Sequence, residues 1–194
     1  MRVIAGSAGG IQLEVPKFGV RPTMDRVKGA IFSSLGDRVE GARVLDLFSG
    51  TGALGIEALS RGAASALFID QDGQAVCAIE RNLKKANLQG SVRQQEVFAF
   101  LDRAKLPGRF HIIFADPPYE RSKSGEGFTE KLLENPSLLQ ILEPDGIFIL
   151  EKRPGEELPE NLPWQTTRRK TYGATEVLFL SAMSDQRTAG NDQP

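Results

Sequence analysis

The sequence predicts an α/β fold of the doubly wound, Rossmann-like kind, and three observations predict it. From Arg43 onward, short apolar runs alternate with amphipathic helical stretches, the signature of repeated βα units. One of those runs, Ile112-Ile113-Phe114-Ala115, is continuously apolar, as a parallel strand covered on both faces must be. A glycine-rich turn, Gly50-Thr51-Gly52-Ala53-Leu54-Gly55, joins the first strand of the series to its first helix.

The elements follow in order. Arg2–Ala5 and Ile11–Val15 flank Gly6-Ser7-Ala8-Gly9-Gly10 and read as a small hairpin, and Val27, Ala30, Ile31 and Leu35 give Met24–Leu35 a helical spread. Then come strand Arg43–Phe48, helix Ala53–Arg61, strand Ala66–Asp70, helix Gln74–Ala86, strand Ser91–Glu96, helix Phe98–Ala104 and strand His111–Ala115. Right-handed crossovers between these strands put helices on both faces of a parallel sheet. The rhythm then changes. Thr129–Leu142 reads as one helix, Gly146–Glu151 as a strand and Pro154–Pro163 as a polar loop. Trp164–Thr171 and Thr175–Ser181 are joined through Tyr172-Gly173-Ala174, a connection tight enough to force an antiparallel hairpin. The expected organisation is an extension over 1–40 that covers the cofactor and binds RNA, a catalytic domain over 41–182 and a disordered polar tail over 183–194.

With 194 residues, 40% of them hydrophobic, the chain suits a single domain with one sizeable core. No run reaches the roughly 20 apolar residues of a bilayer span, and the first residues lack the apolar stretch of a signal peptide, so a cytoplasmic protein without membrane contact is expected. One cysteine, Cys77, and one histidine, His111, supply neither an internal disulfide nor a structural zinc site, and metal chemistry is not expected. Net charge is −1, so any affinity for nucleic acid has to come from local clusters. Residues 1–36 hold Arg2, Lys17, Arg21, Arg26 and Lys28 against Glu14 and Asp25. Phosphate contacts are expected there, from Arg21, Thr23, Arg26 and Lys28. Arg168-Arg169-Lys170 is either a second such patch or a solvated strand edge.

Asp46 ends an apolar strand four residues before Gly50, where a carboxylate needs a partner. A dinucleotide would bring a negative pyrophosphate to this turn, whereas S-adenosylmethionine brings an ammonium and a sulfonium, so Asp46 favours the latter. Asp46 can equally orient the loop by accepting backbone N–H groups, and the two roles can coexist. Asp70 ends the second strand, where an acid accepts ribose hydroxyls from either kind of cofactor. Asp72 reads as a helix cap. Glu96-Val97 ends the third strand and can border an adenine, with Glu96 accepting from its amino group or simply solvated. The candidate cofactor residues are therefore Asp46, Phe48, Gly50, Gly52, Asp70, Gln71, Glu96 and Val97.

Asp116-Pro117-Pro118-Tyr119 follows the apolar fourth strand, whose carboxyl end lies beside the first, over the ligand crevice. An aromatic amine is a poor nucleophile because its lone pair is delocalised into the ring. Acceptors on its N–H groups localise that lone pair. Asp116 supplies one acceptor and the Pro117 carbonyl another, held by the fixed φ of the prolines, while Tyr119 can stack on the base.

On this tetrapeptide the chain resembles the class I methyltransferases whose Asn/Asp-Pro-Pro-Tyr/Phe motif modifies exocyclic amines of adenine, cytosine or guanine. Arg2-Val3-Ile4-Ala5-Gly6, Arg21-Pro22-Thr23-Met24-Asp25-Arg26-Val27-Lys28 and Gly52-Ala53-Leu54-Gly55-Ile56-Glu57-Ala58-Leu59-Ser60-Arg61-Gly62 narrow the resemblance to the RsmD family of bacterial small-subunit ribosomal RNA guanine-N2 methyltransferases, over residues 1 to about 181. The chain departs from the family pattern at Gly29, Glu96 and His111.

The resemblance implies S-adenosylmethionine as cofactor, Asp116, Pro117, Pro118 and Tyr119 as the catalytic group, and ribosomal RNA, the small subunit or an assembly intermediate as partner, with a monomer expected. The rivals are methylation of DNA adenine or of another RNA, a nicotinamide oxidoreductase, and a non-catalytic nucleic-acid-binding module. The segment Glu120–Gly127 has few apolar groups to fasten it and is expected to move, bringing Arg121 and Lys123 to phosphates.

Overall fold

A computed structural model describes residues 1–15, 24–103, 108–118 and 127–183. The predicted alternation is present as α1 (Met24–Leu35), β1 (Arg43–Leu47), α2 (Ala53–Ser60), β2 (Ser65–Asp70), α3 (Gly73–Ala86), β3 (Ser91–Gln94), α4 (Val97–Arg103), β4 (Phe110–Ala115), α5 (Phe128–Glu134), α6 (Pro136–Ile141), β5 (Leu142–Lys152), β6 (Trp164–Tyr172) and β7 (Thr175–Ala182). The seven strands form one sheet in the order β3-β2-β1-β4-β5-β7-β6. The first five are parallel; β7 runs antiparallel between β5 and β6.

Period-two alternation sends β-strand side chains to two cores. Val44, Phe68, Ile112, Phe114, Ile149, Val177 and Phe179 meet α1, α2 and α3 on one face. Leu45, Ile69, Ile113, Phe148, Leu150 and Leu178 meet α4, α5 and α6 on the other. The two faces make a three-layer αβα domain. Among the described residues no helix is long and apolar enough to cross a membrane.

Two sequence expectations change. The single helix expected over Thr129–Leu142 is two, because Asn135 sits at φ −71°, ψ 114°. Proline disfavours the helical conformation in the residue before it, and Pro136 instead starts α6, which Asn135 caps. The hairpin expected from Arg2 to Val15 pairs at one bridge, Arg2 with Gln12; its remaining backbone bonds, such as Gly10 N–H to the Val3 carbonyl, are those of a loop. The expected terminal antiparallel pair is present, with β7 next to β5 and β6 at the edge. Residues of β7 are almost all buried, while β6 carries Gln165, Thr166, Thr167, Arg168 and Arg169 on exposed positions, which suits a sheet edge.

The N-terminal segment is fastened to α2. Glu57, fully buried, accepts the N–H groups of Ile4 at 2.7 Å and Ala5 at 3.0 Å, the Lys28 ammonium at 3.2 Å and Arg61 Nε at 2.7 Å. Lys28 also donates to the Arg2 carbonyl. Asn82 of α3 adds a second tie: it accepts from Glu14 N–H and donates to the carbonyls of Glu14 and Thr51.

Candidate active site

The C-terminal ends of β1, β2, β4 and β5 open onto one cavity of about 1050 Å³. It sits where the strand order reverses between β1 and β4, the usual ligand crevice of open α/β sheets. The turn after β1 is built on left-handed backbone at Phe48 (φ 55°), Gly50 (φ 54°) and Gly52 (φ 75°). Glycine removes the steric penalty at the last two; Phe48 holds such a conformation at a cost, as residues at binding sites often do. Gly55 answers a different need, since a Cβ there would collide with the Phe68 ring and push α2 off β2.

Asp46 lies under this turn at 2% exposure, with Oδ2 accepting the Gly55 N–H at 2.9 Å. Burial pushes its pKa up to about 8; the Gly55 bond opposes that rise, and the nearby Asp116 and Asp70 charges add to it. Ser49 locks the turn by donating to the Asp46 carbonyl and accepting from Ile69 N–H. Asp70 accepts Gly50 N–H at 2.8 Å on one oxygen and Asp72 N–H at 2.9 Å on the other. Asp72 caps α3 through Gln74 N–H, as its position suggests.

One expectation needs correction, at Lys28. Glu96 lines the cavity as an exposed acid, and both its oxygens also accept backbone N–H groups, from Phe98 at 3.0 Å and Ala99 at 2.7 Å, so it caps α4. Lys28 does not face phosphate: at 3% exposure its ammonium is held by Glu57, and burial lowers its pKa. Arg26 is exposed on α1. Gln71 is exposed at the rim, its carbonyl accepting from Gln94. Val97 is buried beneath the cavity wall. Asp116 and Pro117 line the cavity with Pro118 at its mouth. Tyr119, Arg21, Thr23, Arg121, Lys123 and the expected mobile segment and tail lie outside the described residues, apart from Gly127 and Met183 at their edges.

The cavity also holds residues that the sequence reading missed. Phe48 packs against Phe98 and Phe128 at centroid distances of 6.2 and 5.6 Å, and those two rings stack at 6.0 Å. This aromatic wall joins the β3 side of the cavity to α5. Phe98 could have been found as an aromatic one turn beyond a strand end; Phe128 is separated from the tetrapeptide by eight residues and gives no sequence signal. Glu151 near the end of β5, Asn135 between α5 and α6, and Thr175 also line the cavity. His111 is structural: its Nδ1 accepts Arg43 N–H at 3.0 Å. Among the described residues, no group of three or more His, Cys, Asp or Glu is arranged to hold a metal ion.

Removing the Asp70 carboxylate frees two backbone N–H groups and deletes the acceptor at the end of β2. Asp70→Ala should weaken S-adenosylmethionine binding by about 1.5–3 kcal/mol in a calorimetric titration. An unchanged Kd would remove Asp70 from the cofactor contacts.

Comparison with known proteins places this arrangement. A family model described as "Conserved hypothetical protein 95" matches residues 1–181. YlbH of Bacillus subtilis is 41% identical over 182 residues, covering 91% of this chain and 96% of YlbH. The ribosomal RNA small subunit methyltransferase D of Escherichia coli is 35% identical over 179 residues, covering 89% of this chain and 85% of its own length. The solved structure of yhhF from Escherichia coli superposes with a TM-score of 0.78 at 31% identity, covering 95% of this chain and 99% of that one. With the model matched from the first residue through the last strand, the chain belongs to the RsmD family.

Proposed function

We propose that the chain transfers a methyl group from S-adenosylmethionine to N2 of a guanine in small-subunit ribosomal RNA. One observation carries this reading: a single cavity is lined both by a buried carboxylate beneath a glycine turn and by Asp116-Pro117-Pro118. The name of the Escherichia coli relative supports ribosomal RNA as the substrate.

The residues present fit the cofactor. Asp46 is a buried acid that a neighbouring cation would ionise, which suits a cationic ligand over a pyrophosphate. Asp70 stands at the ribose position at the end of β2, and Phe98 and Val97 give an apolar wall for a purine. When bound, S-adenosylmethionine supplies an electrophilic methyl group. Asp116 and the Pro117 carbonyl accept the N–H groups of the target amine, localise its lone pair and hold the nitrogen in line, so acceleration comes from positioning and preorganised acceptors. The amine's proton then leaves to Asp116 or to solvent.

In this reading residues 1–40 cover the cofactor and meet RNA, since Met1, Val15 and Val27 line the cavity. Arg21, Thr23, Arg26, Arg121 and Lys123 contact phosphate, Tyr119 stacks on the base, and a monomer acts in the cytoplasm on ribosomal RNA or an assembling small subunit. Mass spectrometry of ribosomal RNA from cells lacking the gene tests this. Loss of one N2-methylguanine is expected; an unchanged guanine profile, or loss of a methyladenine instead, would overturn it.

The Asp46 environment gives a pH signature. With its pKa raised to about 8, Asp46 is neutral below that pH in the ligand-free protein, and a cation beside it favours ionisation. Binding between pH 6 and 7, where the ligand amine stays protonated, should release close to one proton and tighten by up to about tenfold per pH unit. Calorimetry in buffers of different ionisation enthalpy reads this directly. Asp46→Asn should abolish the proton release. The same raised pKa makes Asp46 favour the folded state most at low pH, a contribution lost as pH rises through about 8. A wild-type protein that releases no proton on binding would contradict the assignment.

A further inference from the structure

At the base end of the cavity, Leu47 of β1, Ala115 of β4 and Leu150 of β5 lie in one register row. One step further along the strands stand Phe48, Asp116 and Glu151, with Glu151 paired to Val177 of β7. Asp116 and Glu151 therefore occupy matching positions on neighbouring strands, both half-buried and both lining the cavity. Asn135, between α5 and α6, lines the same cavity. Its Oδ1 accepts Ser137 N–H at 2.9 Å, which fixes the amide, and its Nδ2 has no partner among the described residues.

Of the three bases with an exocyclic amine, guanine alone carries an N–H next to that amine. Its edge runs N2–H donor, N1–H donor, O6 acceptor. Adenine places the bare acceptor N1 beside its N6 amine, and cytosine places the bare N3 beside N4. A carboxylate next to Asp116 is complementary to guanine and faces a lone pair in either of the other bases.

Resting on the guanine reading above, we propose that Glu151 and Asn135 select the base: Glu151 accepts from N1–H and the Asn135 amide donates to O6, while Asp116 holds N2. A carboxylate offers about four lone-pair positions, so Glu151 keeps acceptor capacity beside its contacts within the protein. Accepting from N1–H also pushes electron density into the ring and toward N2, so selection and activation act together.

The test uses a synthetic RNA spanning the guanine that the wild-type protein methylates, made with guanine or with 2-aminopurine at that position. 2-Aminopurine keeps the 2-amino group, presents a bare N1 and lacks O6. Wild-type kcat/KM should favour guanine by at least about 10³-fold, in keeping with sites built around specific hydrogen bonds. Glu151→Gln should lower kcat/KM on guanine while raising it on 2-aminopurine, because the amide can donate to bare N1; the ratio should narrow by about a hundredfold or more. Asn135→Ala should lower kcat/KM on guanine and leave 2-aminopurine, which has no O6, unchanged. A merely structural role would lower both substrates in parallel, and that result for either variant overturns the assignment of that residue. Equal use of the two RNAs by the wild type overturns base selection altogether. Failure of the wild type to methylate guanine N2 in any ribosomal RNA would overturn the proposed function itself, and is visible before any variant is made.

Discussion

Asp116→Ala should lower kcat for methyl transfer by about 10²–10³-fold, the usual loss when one preorganised polar group facing the reacting atoms is deleted. Asp116 stands where β4 ends over the cavity, and the Pro117 and Pro118 rings that follow fix its approach to the base. Cofactor affinity should stay within a few fold, because the groups assigned to S-adenosylmethionine lie on β1, β2, the turn after β1 and the start of α4. Stopped-flow or single-turnover transfer with labelled cofactor gives the rate, and calorimetry gives the affinity. Asp116→Asn, which keeps one acceptor oxygen, should recover part of the rate. Equal losses of rate and cofactor affinity would move Asp116 from the base to the cofactor.

The second large effect concerns stability. Glu57→Ala should destabilise the fold by about 3–5 kcal/mol, the range seen when one partner of a buried ion pair is removed. The carboxylate is fully buried and serves four donors: Ile4 N–H, Ala5 N–H, Lys28 and Arg61. Its loss leaves the Lys28 ammonium at 3% exposure without a counter-charge and two backbone N–H groups unpaired. Urea denaturation should show a lower midpoint with a similar slope. Replacing Lys28 with Met in the same background should restore part of the loss, because it removes the stranded charge. A change below about 1 kcal/mol would show that the N-terminal segment is held by its apolar contacts alone.

How far the sequence could be read depended on whether the determining forces were local. Strands such as Ile112–Ala115 and helices such as Gln74–Ala86 declared themselves because burial on a sheet imposes its period on a few consecutive residues. Asp46, Asp70 and Asp116 stood out because an acid at the end of an apolar strand has no structural excuse without a partner. Glu151 carries that same signal near the end of β5 and was missed.

Other features are set across the chain. Lys28 looked like an RNA-facing cation in a basic segment; only the fold brings Glu57, 29 positions later, underneath it. Glu96 was read as an adenine contact or a solvated acid, and its cap on helix α4, which begins directly after it, is a further role that the sequence did not declare. The break at Asn135 was readable from Pro136, since proline restrains the residue before it, and the apolar spacing on both sides masked the boundary. The place of β7 between β5 and β6 followed from the burial of its side chains, a property of the assembled sheet.

The central claim is that one cavity joins a cofactor end at Asp46 and Asp70 to a guanine end at Asp116. The most direct measurement is incubation of the purified protein with unmodified small-subunit ribosomal RNA and isotopically labelled S-adenosylmethionine, followed by digestion to nucleosides and mass spectrometry. The account predicts label in N2-methylguanosine at a single position with wild-type protein, and its near-absence with Asp116→Ala. Label in N6-methyladenosine or N4-methylcytidine, or N2-methylguanosine formed equally well by Asp116→Ala, would contradict it.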